Sequence, residues 1–133
     1  MQDVIQQWDN AAAAFSEDQE RSEFADSNKS VIEERFRRLN GERVLDLGCG
    51  YGWYTDFFTR NGADAVGVDG SEKMIAIAQE RYPNLDFTLA NIEKSLPFAD
   101  GCFDIVFSNQ VLMDIENTER VISECARVLK ENG

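Results

Sequence analysis

The sequence predicts an open α/β fold built around a mostly parallel sheet. Four apolar runs of strand length, at 44–47, 65–69, 85–90 and 103–108, alternate with stretches typical of helices, and a cluster of glycines directly follows the first run. Strands that alternate with helices pair in parallel through right-handed crossovers, and their sheets are buried on both faces. Ligands bind beyond the carboxyl ends of such strands, so the glycine loop marks the expected binding region.

The first 40 residues differ from the rest because they are polar and helix-prone. We predict that residues 1–40 form an N-terminal helical cap on a single domain at 41–133. The last part of this cap has a helical apolar stripe of Val31, Ile32, Phe36 and Leu39. The preceding part is predicted either to dock its scattered aromatic rings or to act as a lid; these rings are Trp8, Phe15 and Phe24.

From Arg43 onward the elements follow in order. The first strand leads into the glycine loop, and a helix from Trp53 to Asn61 is stopped by Gly62. After the second strand, Ser71 is a suitable N-cap for the next helix. The third and fourth strands precede a closing helix, whose predicted apolar face consists of Val121, Ile122, Cys125, Val128 and Leu129.

Charge and composition exclude several classes of function. The 133 residues include 13 Lys and Arg against 25 Asp and Glu, and the net charge of -12 disfavours binding to nucleic acid and to anionic membranes. The absence of histidine removes the commonest metal ligand, so no metal site is expected. No apolar run has the length of a membrane span, and three widely spaced cysteines suit a reducing compartment. We therefore expect a cytoplasmic protein, without membrane attachment, that acts on a small molecule.

The glycine loop predicts a cationic, nucleotide-like ligand. Gly48, Gly50 and Gly52 alternate in VLDLGCGYGW, which lets the backbone turn sharply and approach a ligand closely. A dinucleotide-binding loop has its third glycine at the sixth position, which is Trp53 here, so a nicotinamide cofactor is disfavoured. Asp46 adds a carboxylate at the mouth of the loop, where it would repel a pyrophosphate and attract an ammonium or sulfonium group.

Asp69 ends the second strand, 19 residues after Gly50. This is close to the spacing at which an acidic side chain accepts hydrogen bonds from ribose hydroxyls. Taken alone, Asp69 could equally be a turn residue beside the next helix. Because Asp69 follows the glycine loop in the sequence, the ribose role is the favoured interpretation.

Five segments in order, VLDLGCGYG, VGVDGSEKM, LANIEKSLPF, FDIVFSNQVL and ARVLKENG, resemble the successive motifs of class I S-adenosylmethionine-dependent methyltransferases. The resemblance covers residues 43–133. It implies a Rossmann-like sheet with strand order 3-2-1-4, S-adenosylmethionine as the cofactor, and in-line transfer of the sulfonium methyl group to an acceptor.

The resemblance also implies site residues for the methionine half of the cofactor. Asp46, Gly48 and Gly50 would surround the methionine part. Ser108 and Asn109, after the fourth strand, match positions whose backbone meets the methionine amino group.

For the adenosine half, the resemblance places Asp69 on the ribose diol and Gly70 and Met74 along the adenine. The family often has Asp followed by Ala at the end of the third strand, where they read the edge of the base. This chain has Asn91 and Ile92 there, and the asparagine can still form hydrogen bonds.

The acceptor side departs from the family pattern. Many relatives carry a histidine pair after the fourth strand, whereas Met113 and Asp114 occupy the matching turn here. Asp114 is the only candidate for a general base or an acceptor-orienting group, and the sulfonium already activates the methyl group without one. The alternative function is a non-catalytic S-adenosylmethionine-binding module that has lost the acceptor site.

The segment RVLKENG matches the end of a helix that, in the resembled family, precedes a fifth strand. We therefore expect this chain to be truncated, to lack methyl transfer by itself, and to self-associate through the edge of the fourth strand. The alternative is that the N-terminal 40 residues cover that edge.

Overall fold

A computed structural model describes residues 39–108, 117–131 and 133, which form a parallel sheet with helices on both faces. The strands are β1 (Arg43–Leu47), β2 (Asp64–Asp69), β3 (Asp86–Leu89) and β4 (Ile105–Ser108). The helices are α1 (Trp53–Arg60), α2 (Glu72–Arg81) and α3 (Thr118–Val128). The order is β3-β2-β1-β4, with every pairing parallel, which confirms the predicted sheet and its strand order.

The central strand β1 is buried on both faces because α1 and α3 cover opposite sides of the sheet. On one face, leucine and valine side chains of β1 and β2 form a core cluster with two valines of α3: Leu45, Leu47, Val66, Val68, Val121 and Val128. On the other face, Val44 and Ala65 pack against the aromatic side of α1. Alternation along β1 places Asp46 on the α1 face, although it is a charged residue in an apolar strand.

Glycines flank the helix α1 on both sides. It follows Gly52 directly, and its buried side consists mainly of Tyr54, Phe57 and Phe58. After the helix, Gly62 has a φ of 103° and lies against the backbone carbonyl of Leu39, so a side chain would not fit there. The predicted stop at Gly62 is confirmed.

The helix α2 has the predicted N-cap. The Ser71 hydroxyl accepts a hydrogen bond from the Met74 N–H at 3.2 Å, and Ser71 has the extended backbone of a capping residue. This cap fixes where the chain leaves β2 and enters α2, which is the turn beside the glycine loop.

Two predictions about the C-terminal elements are wrong in detail. Ile122 is 55% exposed, because α3 meets the sheet through a narrow stripe in which Val121 and Val128 are fully buried. The fourth strand begins at Ile105 rather than at residue 103, since Phe103 pairs with Leu129 in an isolated parallel bridge. Leu129 therefore lies beyond α3, not on its apolar face.

Residues 1–38 of the predicted cap lie outside the described ranges. Asn109, Met113 and Asp114 lie outside them as well. Over the described ranges, no helix is long and apolar enough to cross a membrane.

Candidate functional site

The glycine loop lies at the carboxyl end of β1, as predicted. Gly48, Gly50 and Gly52 have φ values of 74°, 57° and 93°, a region that favours glycine strongly. The N–H groups of Gly48 and Cys49 both donate to the Val68 carbonyl, at 2.7 and 2.9 Å. The loop is therefore held on the end of β2, and its left-handed residues are a structural requirement of the turn.

Gly52 is required for packing as well as for conformation. A Cβ atom there would lie 2.8 Å from Cζ of the Phe87 ring, which β3 contributes to the same face of the sheet. By contrast, a Cβ atom on Gly50 would meet nothing within 4 Å. The loop is thus packed closely at Gly52 and borders open space at Gly50, where a ligand could approach the backbone.

Asp69 joins the glycine loop to the start of α2. One carboxylate oxygen accepts a hydrogen bond from the Gly50 N–H at 2.9 Å, and the other accepts one from the Ser71 N–H at 2.8 Å. A carboxylate oxygen has more than one lone pair, so these bonds leave acceptor capacity for the hydroxyls of a diol. The predicted ribose role is compatible with this geometry, but Asp69 also has a structural role that the sequence did not indicate.

Asp46 is buried beneath the loop rather than placed at its mouth. It is the fourth residue of β1 and 2% exposed, and its Oδ2 accepts a hydrogen bond from the Thr55 hydroxyl at 2.7 Å. Burial, with a smaller contribution from the nearby Asp69 charge, raises the pKa of Asp46 to about 7. A positive charge bound close to this carboxyl group would offset the penalty of its desolvation and favour the ionised form.

The adenine positions predicted on the α2 side are only partly accessible. Met74 is 2% exposed and forms a small cluster with Tyr51 of the glycine loop. The Arg81 guanidinium lies 4.9 Å from the centre of the Tyr51 ring and extends this cluster. Gly70 is partly exposed at the end of β2. Contact between Met74 and a base stays a prediction, and it would require the cluster to open.

Asn91 and Ile92 follow β3, beside the end of β2. The Asn91 Oδ1 atom accepts a hydrogen bond from the Glu93 N–H at 3.0 Å, and its carbonyl accepts one from Lys94. The first of these bonds holds the side-chain amide oxygen of Asn91, and the second holds its backbone. The Ile92 side chain is 1% exposed and belongs to the core, so only its backbone is suited to contact a ligand.

Ser108 is the last residue of β4 and lies at the carboxyl end of the sheet, as the glycine loop does. Its hydroxyl oxygen is buried and has no hydrogen-bond partner in the part of the chain that the structure describes. A buried polar atom of this kind costs about 1–3 kcal/mol unless something satisfies it, so a bound ligand would stabilise this position. The predicted roles of Asn109 and Asp114 stay predictions, because both residues lie outside the described ranges.

Sequence reasoning missed Thr55 and Tyr51. Thr55 is fully buried on an otherwise aromatic face of α1, and a lone hydroxyl among apolar residues is a signal that could have identified it as a partner of a buried acid. Tyr51 gives no comparable signal, because its packing against Met74 depends on how the loop meets α2.

Comparison with known proteins agrees with this geometry. A family model described as a methyltransferase domain matches residues 45–133. A probable S-adenosylmethionine-dependent methyltransferase of Mycolicibacterium smegmatis is 32% identical over 103 residues, which cover 77% of this chain and 40% of that protein. The demethylmenaquinone methyltransferase of Tropheryma whipplei is 38% identical over 96 residues, covering 70% and 39% of the two chains. The chain thus spans about 40% of the length of these curated relatives.

Among solved structures, the (4+2)-cyclase SpnF is similar with a TM-score of 0.69 and 34% identity, and the match covers 80% of this chain and 41% of that one. The parallel sheet of order β3-β2-β1-β4, the left-handed glycine loop and the family match lead to one conclusion. The chain belongs to the methyltransferase domain family, in its Rossmann-like, S-adenosylmethionine-dependent form.

Proposed function

We propose that this protein is a methyltransferase that binds S-adenosylmethionine at the carboxyl ends of β1 and β2 and methylates a small molecule. The main support is the buried Asp46 beneath the glycine loop. Its carboxyl group has a hydrogen bond from Thr55 and a pKa raised to about 7, so a cationic ligand above it would favour the ionised form.

The residues present fit this cofactor better than a dinucleotide. S-adenosylmethionine carries an ammonium and a sulfonium group, whereas a pyrophosphate would face the two carboxyl groups of Asp46 and Asp69. The open space at Gly50 lets a ligand reach the loop backbone, and the buried Ser108 hydroxyl could hydrogen-bond to a polar group of the cofactor.

When bound, the cofactor supplies a methyl group that its sulfonium already makes electrophilic. The residues of the chain would then hold the cofactor and exclude water rather than activate it. Asp69 would accept hydrogen bonds from the ribose hydroxyls, and Asn91 with the Ile92 N–H would face the edge of the base. Asp46 would carry the compensating negative charge. Asp114 remains the candidate for an acceptor-orienting carboxylate.

The acceptor class is proposed from relatives and from charge. The Tropheryma whipplei relative is named for a quinone-type substrate, which is a small molecule. The net charge of -12 disfavours polyanionic acceptors for this chain.

We also propose a cytoplasmic location, which is supported by the free state of Cys49, Cys102 and Cys125.

A non-catalytic S-adenosylmethionine-binding module is the second candidate. Its support is limited to the absence of a required transferase role, because SpnF, which has a similar fold, is named as a cyclase and not as a methyltransferase. The two candidates share the cofactor site and differ only in whether methyl groups are transferred.

Calorimetry followed by a transfer assay tests both candidates. We expect S-adenosylmethionine and S-adenosylhomocysteine to bind and NADH not to bind, and Asp46→Asn to weaken binding while the matched surface variant Asp56→Asn does not. Transfer of labelled methyl groups would then be screened against small phenols, quinols and amines, using the longest available form of the protein. Absence of cofactor binding by the folded chain would reject both candidates, whereas binding without transfer would favour the module.

Self-association through β4 is a further part of this proposal. β4 is the last strand of the sheet formed by the described residues, and the Asp104 N–H donates to Arg43 of β1 at 2.8 Å. The bridge between Phe103 and Leu129 occupies the start of the opposite edge of β4. Beyond it, by the alternation of a parallel ladder, the N–H groups of Ile105 and Phe107 point away from β1, which is the arrangement that accepts another strand.

Light scattering over a range of concentrations tests this edge pairing against the alternative that residues 1–40 cover β4. A mass that rises with concentration supports pairing between chains. A constant mass of one chain would contradict it and would favour coverage by the N-terminal cap.

A further inference from the structure

One side chain of α3, Arg127, makes several hydrogen bonds to the segment between β3 and β4. Arg127 donates from Nη1 to the Phe98 carbonyl at 2.9 Å and from Nη2 to the Leu96 carbonyl at 3.0 Å. The same Nη1 also donates to the Asp100 carboxylate at 2.7 Å. A guanidinium group has its donors in a rigid fork, so these bonds fix three successive parts of the segment relative to α3.

Glu124 completes this arrangement one turn earlier on the same helix. Its Oε2 accepts from Arg127 Nε at 2.7 Å, and its Oε1 accepts from the Leu96 N–H at 2.7 Å. Leu96 thus has its N–H bound to Glu124 and its carbonyl bound to Arg127. The two side chains replace the strand pairing that this segment lacks, so we call Glu124 and Arg127 the α3 clasp.

The same segment begins with the turn at Asn91 and Ile92, which the proposed function assigns to the edge of the cofactor's base. Asn91 and Ile92 open it, and the Leu96 side chain is buried in the same core cluster as Ile92. The Glu93 carboxylate accepts from the Asn117 N–H at 2.8 Å, which ties the turn to the start of α3 as well. The helix therefore holds the segment at both of its ends.

The orientation of the Asn91 amide determines which base it can recognise. With Oδ1 held by the Glu93 N–H, the amide oxygen keeps a lone pair for the amino group of an adenine. If the segment loosened, the amide could rotate and present its NH₂ group to the carbonyl of a hypoxanthine instead. Discrimination between the two bases thus depends on how firmly the turn is held.

We propose that Glu124 and Arg127 are positioning residues that set the preference for adenine, acting through the backbone of Leu96 on Asn91 and the Ile92 N–H. This inference rests on the proposed cofactor site. Neither side chain is assigned any contact with the cofactor, so their effect should be on selectivity between bases.

The test compares the dissociation constants of S-adenosylhomocysteine and S-inosylhomocysteine by calorimetry. We expect the wild-type protein to bind the adenine compound about tenfold more tightly, equivalent to one hydrogen bond of about 1.4 kcal/mol. In Arg127→Gln the ratio should fall below about threefold, and in Glu124→Gln it should fall less, since the glutamine retains an acceptor oxygen. Arg60→Gln, which removes an exposed ion pair with Asp56 on α1, is the matched control and should keep the wild-type ratio.

A merely structural role would lower the melting temperature of Arg127→Gln but leave the ratio unchanged in the folded protein, and this result would overturn the inference. Should Arg127→Gln fail to fold, Arg127→Lys and Glu124→Gln provide the same comparison. Equal binding of both compounds by the wild-type protein would also overturn the inference while leaving the proposed function intact. Failure of the wild-type protein to bind either compound would instead reject the proposed function.

Discussion

Asp46 beneath the glycine loop and Glu124 in the α3 clasp are two largely buried carboxyl groups in opposite electrostatic surroundings. Asp46 has Thr55 as its side-chain hydrogen-bond donor, and burial raises its pKa to about 7. Glu124 accepts from Arg127 and from the Leu96 N–H, and these bonds lower its pKa to about 2. The clasp is electrostatically complete, whereas in the loop region none of the residues that the structure describes supplies a cation to compensate the Asp46 carboxyl group.

This difference separates a binding region from a structural one. A carboxyl group that is paired within the chain stabilises the fold and needs nothing further. A carboxyl group that is buried without a counter-charge reduces stability once it ionises. Such a group is typical of a site where a ligand supplies the missing charge. The two regions can also be compared at their left-handed glycines, of which the glycine loop contains three and the segment between β3 and β4 contains Gly101.

The largest expected effect comes from comparing Gly52→Ala with Gly101→Ala. Both positions have positive φ, 93° and 61°, so each alanine costs about 1–2 kcal/mol in backbone strain. At Gly52 the Cβ atom would also lie 2.8 Å from the Phe87 ring, whereas at Gly101 the nearest atom is 3.9 Å away. Urea denaturation should show a loss of about 2–5 kcal/mol for Gly52→Ala, and only the strain for Gly101→Ala.

If the two alanine variants lose equal stability, the close packing of the glycine loop on β3 is not what requires Gly52. Cofactor binding provides a second readout, since Gly101→Ala should bind S-adenosylhomocysteine normally.

Asp69→Ala should have the next largest effect. The loss of a charged acceptor is expected to weaken cofactor binding by about 1.5–3 kcal/mol. Because Asp69 also accepts from the Gly50 and Ser71 N–H groups, the variant should lose about 1–2 kcal/mol of folding stability as well. Calorimetry and denaturation measure the two losses separately.

The matched control is Asp64→Ala, which removes an exposed carboxylate at the opposite end of β2. Its affinity for the cofactor should equal that of the wild-type protein. Normal affinity in Asp69→Ala would remove Asp69 from the site and leave it with the structural role alone.

Local patterns were sufficient to predict the presence and order of the strands, the glycine loop and the Ser71 cap. The start of the fourth strand was wrong, because Phe103 pairs with the distant Leu129. The predicted apolar face of α3 was too wide at Ile122, since periodicity indicates a direction but not how much of a helix touches the sheet. The prediction that Asp46 lies at the mouth of the loop was wrong, because its burial depends on α1 packing over β1 and no local pattern describes that packing.

The α3 clasp could not be predicted for a related reason. Arg127 reaches Leu96 across 31 residues of sequence, and Glu124 reaches it across 28. In the sequence these residues are indistinguishable from the solvated face of an amphipathic helix. Only the fold reveals that both charges are directed at the backbone of one segment.

A smaller effect is expected from the pH dependence of cofactor binding. Asp46 is protonated below about pH 7 in the free protein, and a cationic ligand favours its ionised form, so binding should release a proton. The dissociation constant should therefore rise as the pH falls from 7 to 5.5, by at most about tenfold per pH unit, and level off above pH 8. Calorimetry in buffers of different ionisation enthalpy measures the released proton directly.

Asp46→Asn should bind more weakly at pH 8 and lose most of this pH dependence. Glu124→Gln should retain the wild-type profile, because the clasp carboxylate titrates far below this range. A wild-type dissociation constant that does not change between pH 5.5 and 8 would contradict the assigned role of Asp46.

The smallest expected effect is the contribution of Glu124 to stability in acid. A carboxylate with a lowered pKa in the folded state stabilises the protein above its unfolded pKa of about 4.5, and this contribution disappears as the pH falls towards 2. Since the side chain retains some exposure to solvent, we expect Glu124→Gln to lose about 1 kcal/mol at pH 7. Urea denaturation at pH 7, 4.5 and 3 should show that the difference in unfolding free energy between the variant and the wild-type protein narrows only below pH 4.5.

Glu119→Gln, an exposed position in the first turn of the same helix, is the control. A gap that stays constant down to pH 3 would mean that the ion pair with Arg127 contributes no pH-dependent stability, and the contrast between Glu124 and Asp46 would then rest on Asp46 alone.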